Sequence, residues 1–227
     1  MADLFRDIIE VFDRLGLWDD GVELIGSWSL LLYQRHCGAP PYRLRTQDID
    51  FLVPRIYPKR EPVDLAKALA PLGFQVDFSP RGAVHFINAD FKIEFLTPER
   101  GKGDDMPRTI KPLGIKAVQL RFLDMLFDQP LTVKEGGVAV RIPNPTSFCI
   151  HKLIISQRRT KPDKAAKDIE QAVHLFSILD PKEFRSSIKK LPKKWQTMVR
   201  KALLKAQNLI PSELANLAKF DLTQQDQ

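Results

Sequence analysis

Two aspartates stand two positions apart in "TQDIDFLV" (Thr46–Val53), among large apolar residues. Side chains alternate between faces of a strand, so Asp48 and Asp50 point one way while Ile49 and Phe51 point into a core. Their Cα atoms then lie about 6.5 Å apart, at about 3.3 Å of rise per residue. Carboxylates so spaced can converge on divalent cations, including a pair of ions about 3.5–4 Å apart. The plainer reading is a solvated strand face, on which two like charges carry a cost that a cation or water relieves. Gly26–Ser27 adds a second signal, because it ends an apolar strand and opens a helix. Free backbone N–H groups and the helix dipole favour a phosphate there, and glycine lets it come close; an ordinary serine cap is the alternative. A third signal is Glu94 in "FKIEFL", framed by Ile93 and Phe95 as Asp50 is framed by Ile49 and Phe51. Its ordinary role is a salt bridge to Lys92 or a nearby arginine. Asp77 and Asp90 compete for the same part but are less well framed.

The elements that must position these residues follow from periodicity and punctuation. "MADLFRDIIEVFDRLG" reads as an amphipathic helix with Leu4, Ile8, Phe12 and Leu15 on one face, and not as a signal peptide. Val22–Gly26 reads as a short strand, Ser27–Cys37 as a helix, "GAPPYRLR" as a loop and "QDIDFLVP" as a strand closed by Pro54. Pro62–Gly73 reads as a helix with proline at its start and glycine beyond its end. "FQVDF" and "AVHFI" form a hairpin across "SPRG", and "FKIEFL" follows. "TPERGKGDDMPRTIKPLG" reads as a mobile loop, and "LTVKEGGVAVRIP" as a hairpin turned at Glu135–Gly136–Gly137. From Pro145 the pattern is helical: Pro145–Arg159, Lys164–Leu179, then shorter helices to Phe220 and a frayed "TQQDQ". The expectation is an α/β (α+β) fold, with a mixed-sheet catalytic domain over 1–143 and a helical C-terminal domain over 144–227.

Bulk properties narrow the classes. With 44% hydrophobic and 28% charged residues, the chain reads as globular, and it has no apolar run long enough for a membrane span. Cys37 and Cys149 lie far apart without CxxC spacing, which points away from zinc and disulfides and toward a reducing cytoplasm. His36, His85, His151 and His174 show no metal-ligand spacing. The net charge of +7 is uneven: Lys182–Lys205 holds nine basic residues and one acid, Glu183, while the remainder is nearly neutral. An RNA acceptor or tethering partner suits that asymmetry, with "KKLPKKW" setting Trp195 among lysines; a solvated helical face is the alternative. Arg158–Arg159 reads equally as a phosphate contact or a solvated helix end.

Strand–Gly-Ser–helix, then D-x-D on a strand, then a later strand with one acid resembles the nucleotidyltransferase superfamily of DNA polymerase beta. Aminoglycoside nucleotidyltransferases and CCA-adding enzymes are among its members. The resemblance lies in "LIGSWSLLLY", "TQDIDFLV" and "FKIEFLTP", covering roughly Val22 to Pro98. "NPTSFCIHKLIISQRR…DKAAKDIEQAVHLF" is similar to the helical segment of stand-alone bacterial members, with Lys152 and Lys167–Asp168 at the matching positions. The chain departs from the pattern in its longer "GAPPYRLR" gap, in bulky Trp28 after Gly26–Ser27, and in a glutamate as third acid. The resemblance implies transfer of a nucleoside monophosphate from an NTP to a hydroxyl acceptor. Asp48, Asp50 and Glu94 would hold Mg²⁺ or Mn²⁺, and Glu94 would help deprotonate the acceptor. Gly26 and Ser27 would hold the β- and γ-phosphates, with Lys152 a distant cationic contact. Two rival readings are a D-x-D glycosyltransferase, which the Gly-Ser turn and the third acid disfavour, and a nucleic-acid-binding module whose nucleotidyltransferase site is silent.

Overall fold

The structure is a computed structural model that describes residues 2–58, 61–100, 106–210 and 214–220. The chain divides into two compact units: Met1–Leu32 with Arg43–Pro143, and Tyr33–Tyr42 with Asn144–Gln227.

In the first unit, helix α1 (Ala2–Arg14) buries Phe5, Ile8, Ile9 and Phe12. Leu4 and Leu15 are only half-buried, so the apolar stripe is rotated from the one expected. β1 (Glu23–Ile25), α2 (Ser27–His36) and β2 (Asp48–Leu52) follow, each close to its expected span. The helix expected over Pro62–Gly73 is shorter. It is α3 (Leu65–Leu69), capped by Asp64, whose side chain accepts from the Lys67 N–H at 2.9 Å. Pro71, which has no N–H to continue the ladder, tightens the next turn (Ala70–Leu72) into a 3-10 helix.

β3 (Gln75–Phe78) and β4 (Val84–Ile87) form the expected hairpin, and β5 (Lys92–Pro98) is the third-acid strand. The stretch from Thr97 to Gly114 is not one loop. It holds the end of β5, then β6 (Arg108–Ile110) and a 3-10 turn, Lys111–Leu113. Residues 101–105 of that stretch, and the tail 223–227, lie outside the described residues. β7 (Ile115–Leu120) pairs with β6 and β5. The chain then passes through Phe122 at φ 70°, an uncommon conformation for a bulky residue, into the 3-10 segment Leu123–Phe127. β8 (Leu131–Glu135) and β9 (Val138–Ile142) make a separate hairpin. Gly136 and Gly137 turn it with φ of 58° and 94°, the positive values that a two-residue hairpin turn of type I′ requires.

The main sheet runs β1-β2-β5-β4-β3. β5 is central: it lies parallel to β2 on one side, and on the other it pairs first with β4 and then with β7. One face is an aromatic core in which Phe12 of α1 meets Phe51 at 4.2 Å, with Trp18, Phe95 and Phe86 around them. The other face is split. Ile25 and Leu52 pack with Leu96 beneath Leu123 and Leu126, while the remaining end of that face is polar.

The second unit is helical: α4 (Pro145–Ser156), α5 (Pro162–His174), α6 (Pro181–Lys189), α7 (Lys193–Leu209) and α8 (Leu214–Lys219). Proline opens three of these helices, at a position where its missing N–H has no intrahelical partner anyway. α7 has 17 residues, longer than the short helices expected here. The loop after α2 belongs to this unit. Gln171 donates to the Tyr42 hydroxyl at 3.0 Å, the His174 ring lies 2.9 Å from the Pro40 carbonyl, and Tyr33 meets Phe148 edge to face. Among the described residues no helix is long and apolar enough to cross a membrane.

Candidate active site

Strand register alone brings three of the candidate residues together. Asp50 lies opposite Ile25 of β1 on one side and opposite Glu94 of β5 on the other. Glu94 in turn lies opposite His85 of β4, and His85 opposite Asp77 of β3. Residues directly paired across a sheet share a face. One row of side chains therefore crosses the sheet: Ile25, Asp50, Glu94, His85, Asp77. Asp48 stands one step along β2, opposite Lys92. Asp48 is exposed, and Asp50 and Glu94 are half-buried, so this polar end of the face is open to solvent.

Gly26 is tied to this row. Its φ is +72°, and a β-carbon built on it would run into the Asp50 carboxylate, 3.1 Å from Asp50 Cγ. Glycine stands here because the Asp50 side chain lies against its backbone, a requirement separate from the phosphate approach that the turn suggested. Ser27 begins α2 directly after it, and the buried Ser29 hydroxyl donates back to the Leu24 carbonyl at 2.9 Å. Trp28 does not face the site. It is buried, stacked on Phe5 at 4.3 Å and edge-on to Phe91 at 5.4 Å.

Glu94 has two close neighbours: the Lys92 expected from the sequence, and His85, which periodicity does not show. The Lys92 ammonium donates to Glu94 Oε1, and His85 Nε2 stands 3.4 Å from the same oxygen. His85 Nδ1 is 4.0 Å from Asp77 Oδ2. Burial holds the His85 ring below its usual pKa, helped by the Lys92 charge and opposed by Glu94, Asp77 and Asp48. Burial pulls Lys92 down, but Glu94, Asp48 and Asp77 more than offset it and leave the ammonium above its usual value. The antiparallel register of β4 against β5 is the signal for His85, and it becomes legible once the Asn88–Asp90 turn sets that register. Asp90, the other competing acid, sits exposed in the turn that Asn88 closes.

Where β5 exchanges β4 for β7, a hollow of about 440 Å³ opens. Glu94 and His85 line it together with Arg81, Val118, Gln119 and Leu120.

As oxygen donors on one open strand face, Asp48 and Asp50 suit a hard divalent cation. Glu94 fits that set less directly, because Lys92 already holds its oxygen. Among the described residues no three His, Cys, Asp or Glu side chains converge as a ready metal cage. Lys152 lies in the second unit. It is buried, with Nζ 3.0 Å from Asp168 Oδ1, and Arg159 Nε holds the other oxygen at 2.6 Å. Burial pushes the Asp168 carboxyl up, but Lys152 and Arg159 outweigh it and hold the group below its usual value.

A comparison with curated proteins finds no match. The chain is similar in fold to an antigenic nucleotidyltransferase-like protein from Paracoccidioides brasiliensis, with a TM-score of 0.55 at 13% identity, covering 95% of this chain and 92% of that one. The solution structure of the antibiotic-resistance factor ANT(2'')-Ia aligns over 94% of this chain and 97% of its own, at 12% identity and a TM-score of 0.47, a similarity on which no argument rests. A nucleotidyltransferase family model matches residues 4–197, which include the Gly-Ser turn, all three acids and Lys152. The chain therefore belongs to the nucleotidyltransferase family, and its activity is nucleotidyl transfer.

Proposed function

We propose that the protein moves a nucleoside monophosphate from an NTP to a hydroxyl acceptor, with Mg²⁺ or Mn²⁺ as cofactor, in a reducing cytoplasm. The supporting observation is the row that sets Asp50 beside Glu94, with Asp48 on the same open face and Gly26 against Asp50. In this reading residues 1–143 are the catalytic part and 144–227 the helical one. Asp48 and Asp50 would hold the cation, with Glu94 completing the set when Lys92 gives way. A bound divalent cation supplies neutralisation of the charge that develops on the triphosphate. The N–H groups at Gly26–Ser27 hold the outer phosphates at the start of α2. The acceptor enters the hollow beside Glu94. Its oxygen forms the bond to the α-phosphorus as the bond to the departing pyrophosphate breaks, and Glu94 takes the hydroxyl proton. Lys152 is the nucleotide's cationic contact from the helical part, and RNA is the acceptor class that the charge of Lys182–Lys205 suits.

Calorimetry with Mg²⁺ and each NTP tests this. Asp50→Ala and Asp48→Asn should each abolish metal-dependent nucleotide binding while leaving the fold intact, since removing one of two facing acids relieves repulsion. Unchanged affinity in either variant would sink the metal role. Labelled NTPs incubated with cell extract would then identify the acceptor. One observation favours a second reading. Lys92 already occupies Glu94, as in a nucleic-acid-binding module with a silent site. Wild-type protein that binds RNA but no metal–nucleotide would select it.

A further inference from the structure

In the second unit, one surface combines cationic and apolar side chains, with no acid among the described residues that line it. A groove of about 570 Å³ is lined by Gln157 and Arg158, just past the end of α4, and by one face of α7. Lys194, Met198, Lys201, Leu204 and Lys205 supply that face. Spacings of three and four put them on one side of the helix, and the opposite side buries Val199, Ala202, Leu203 and Ala206. From Phe184 to Ser212 the sequence contains no Asp or Glu. The three lysines are exposed, and Leu204 between them is 61% exposed, so the charged row carries an apolar contact point.

We propose that this groove binds single-stranded nucleic acid. Lys194 and Lys201 are two helical turns apart, roughly 10 Å, and Lys201 and Lys205 roughly 6 Å, at about 1.5 Å of rise per residue. A flexible phosphodiester backbone can follow such a row of charges. Unstacked bases would lie on Met198 and Leu204, whereas a duplex turns its bases inward and offers only phosphates. No aromatic side chain lines the groove among the described residues, so binding is modest in strength. This deepens the RNA part of the proposed function, and it is tested apart from the transfer reaction because the readout uses RNA with no nucleotide present.

The test titrates the full-length protein with fluorescent oligouridylate over a series of salt concentrations. The triple variant Lys194→Gln/Lys201→Gln/Lys205→Gln should weaken binding at least about tenfold. It should also flatten the slope of log K against log salt by about two, at roughly 0.7 per lost phosphate contact on a single strand. Lys→Arg at the same three positions should retain both affinity and slope. Leu204→Ser should weaken the oligouridylate but not a duplex of equal charge. The substituted positions are exposed, and circular dichroism checks the fold of each variant. A wild-type slope in the triple-Gln variant, or equal affinity for oligouridylate, duplex and heparin, would overturn the proposal. NTP affinity measured on the same variants should stay at the wild-type value.

Discussion

Gly26 and Asp50 meet across β1 and β2 so closely that the glycine has no room for a side chain. Gly26→Ala therefore meets two costs, a positive φ of about 1–3 kcal/mol and a collision with a carboxylate that must then move. We expect the variant to lose metal-dependent nucleotide affinity by at least about tenfold and to melt several degrees lower. In an Asp50→Ala background only the backbone term should remain, so a double-mutant cycle by denaturant unfolding should show coupling between the two sites. Equal costs in both backgrounds would mean that the contact is not what excludes a side chain.

Ser27 separates a phosphate site from a plain helix start. If the turn meets the outer phosphates, Ser27→Ala should weaken NTP binding severalfold and leave NMP binding nearly unchanged. Isothermal titration with both ligands checks this, and parallel losses would reduce Ser27 to a structural role.

Lys92 occupies the oxygen that a cation at Glu94 would need. Replacing it with methionine removes a competing charge, and we expect Mn²⁺ to bind severalfold more tightly, as followed by electron paramagnetic resonance of the free ion. Weaker Mn²⁺ binding would show that Lys92 does not compete for that site.

Glu23 is wholly buried on β1, bonded to Arg141 Nε at 3.1 Å, and its other oxygen has no partner among the described residues. Burial lifts its carboxyl to about 7 from 4.5, and the bond and charge of Arg141 pull it back only partway. An acid raised in the folded state holds its proton better there than in the unfolded chain. Its contribution is thus complete below about pH 4.5 and is lost as the pH climbs through about 7, by up to about 3 kcal/mol. Urea unfolding from pH 4.5 to 7.5 should show wild type losing stability relative to Glu23→Gln. Parallel curves for the two proteins would mean that Glu23 does not titrate there.

Asp168 carries two cations inside the helical unit. Asp168→Ala strands a buried Lys152 and should cost about 3–5 kcal/mol. Lys152→Met should cost less, because Arg159 still holds Asp168. If Lys152→Met also weakens NTP binding while stability holds, lysine is a nucleotide contact as well as an ion-pair partner.

Much of the site is legible in the sequence because period-two alternation is a strong signal. Asp48, Asp50 and Glu94 each break a run of buried residues, and the structure sets all three on one face. What alternation cannot convey is which strand lies next to which. His85 joins the row only through the pairing of β4 with β5, whereas the Lys92–Glu94 bridge is one that alternation itself suggests, since residues two apart on a strand share a side. Trp28 was read as a departure at the site, whereas α2 turns it into the aromatic core. β6 sits among glycines and prolines that argue for a loop, and pairing with β7 overrides that local preference. α7 outgrows its expected length because Val199, Ala202, Leu203 and Ala206 keep helical spacing through a stretch dense in lysines.

The loop after α2 has a topological consequence. The chain leaves its first unit at Leu32, returns at Arg43 and leaves again at Pro143. A single cut at the 143/144 bond therefore does not release two whole pieces. The C-terminal fragment would lack Tyr42 against Gln171, Pro40 against His174 and Tyr33 against Phe148. Expressed alone, 144–227 should be less stable than the same helices in the full chain, and a peptide spanning 33–42 supplied in trans should restore part of the loss. The Gly38–Tyr42 part of "GAPPYRLR", which looks like an insertion between two motifs, is in this sense a missing piece of the other half.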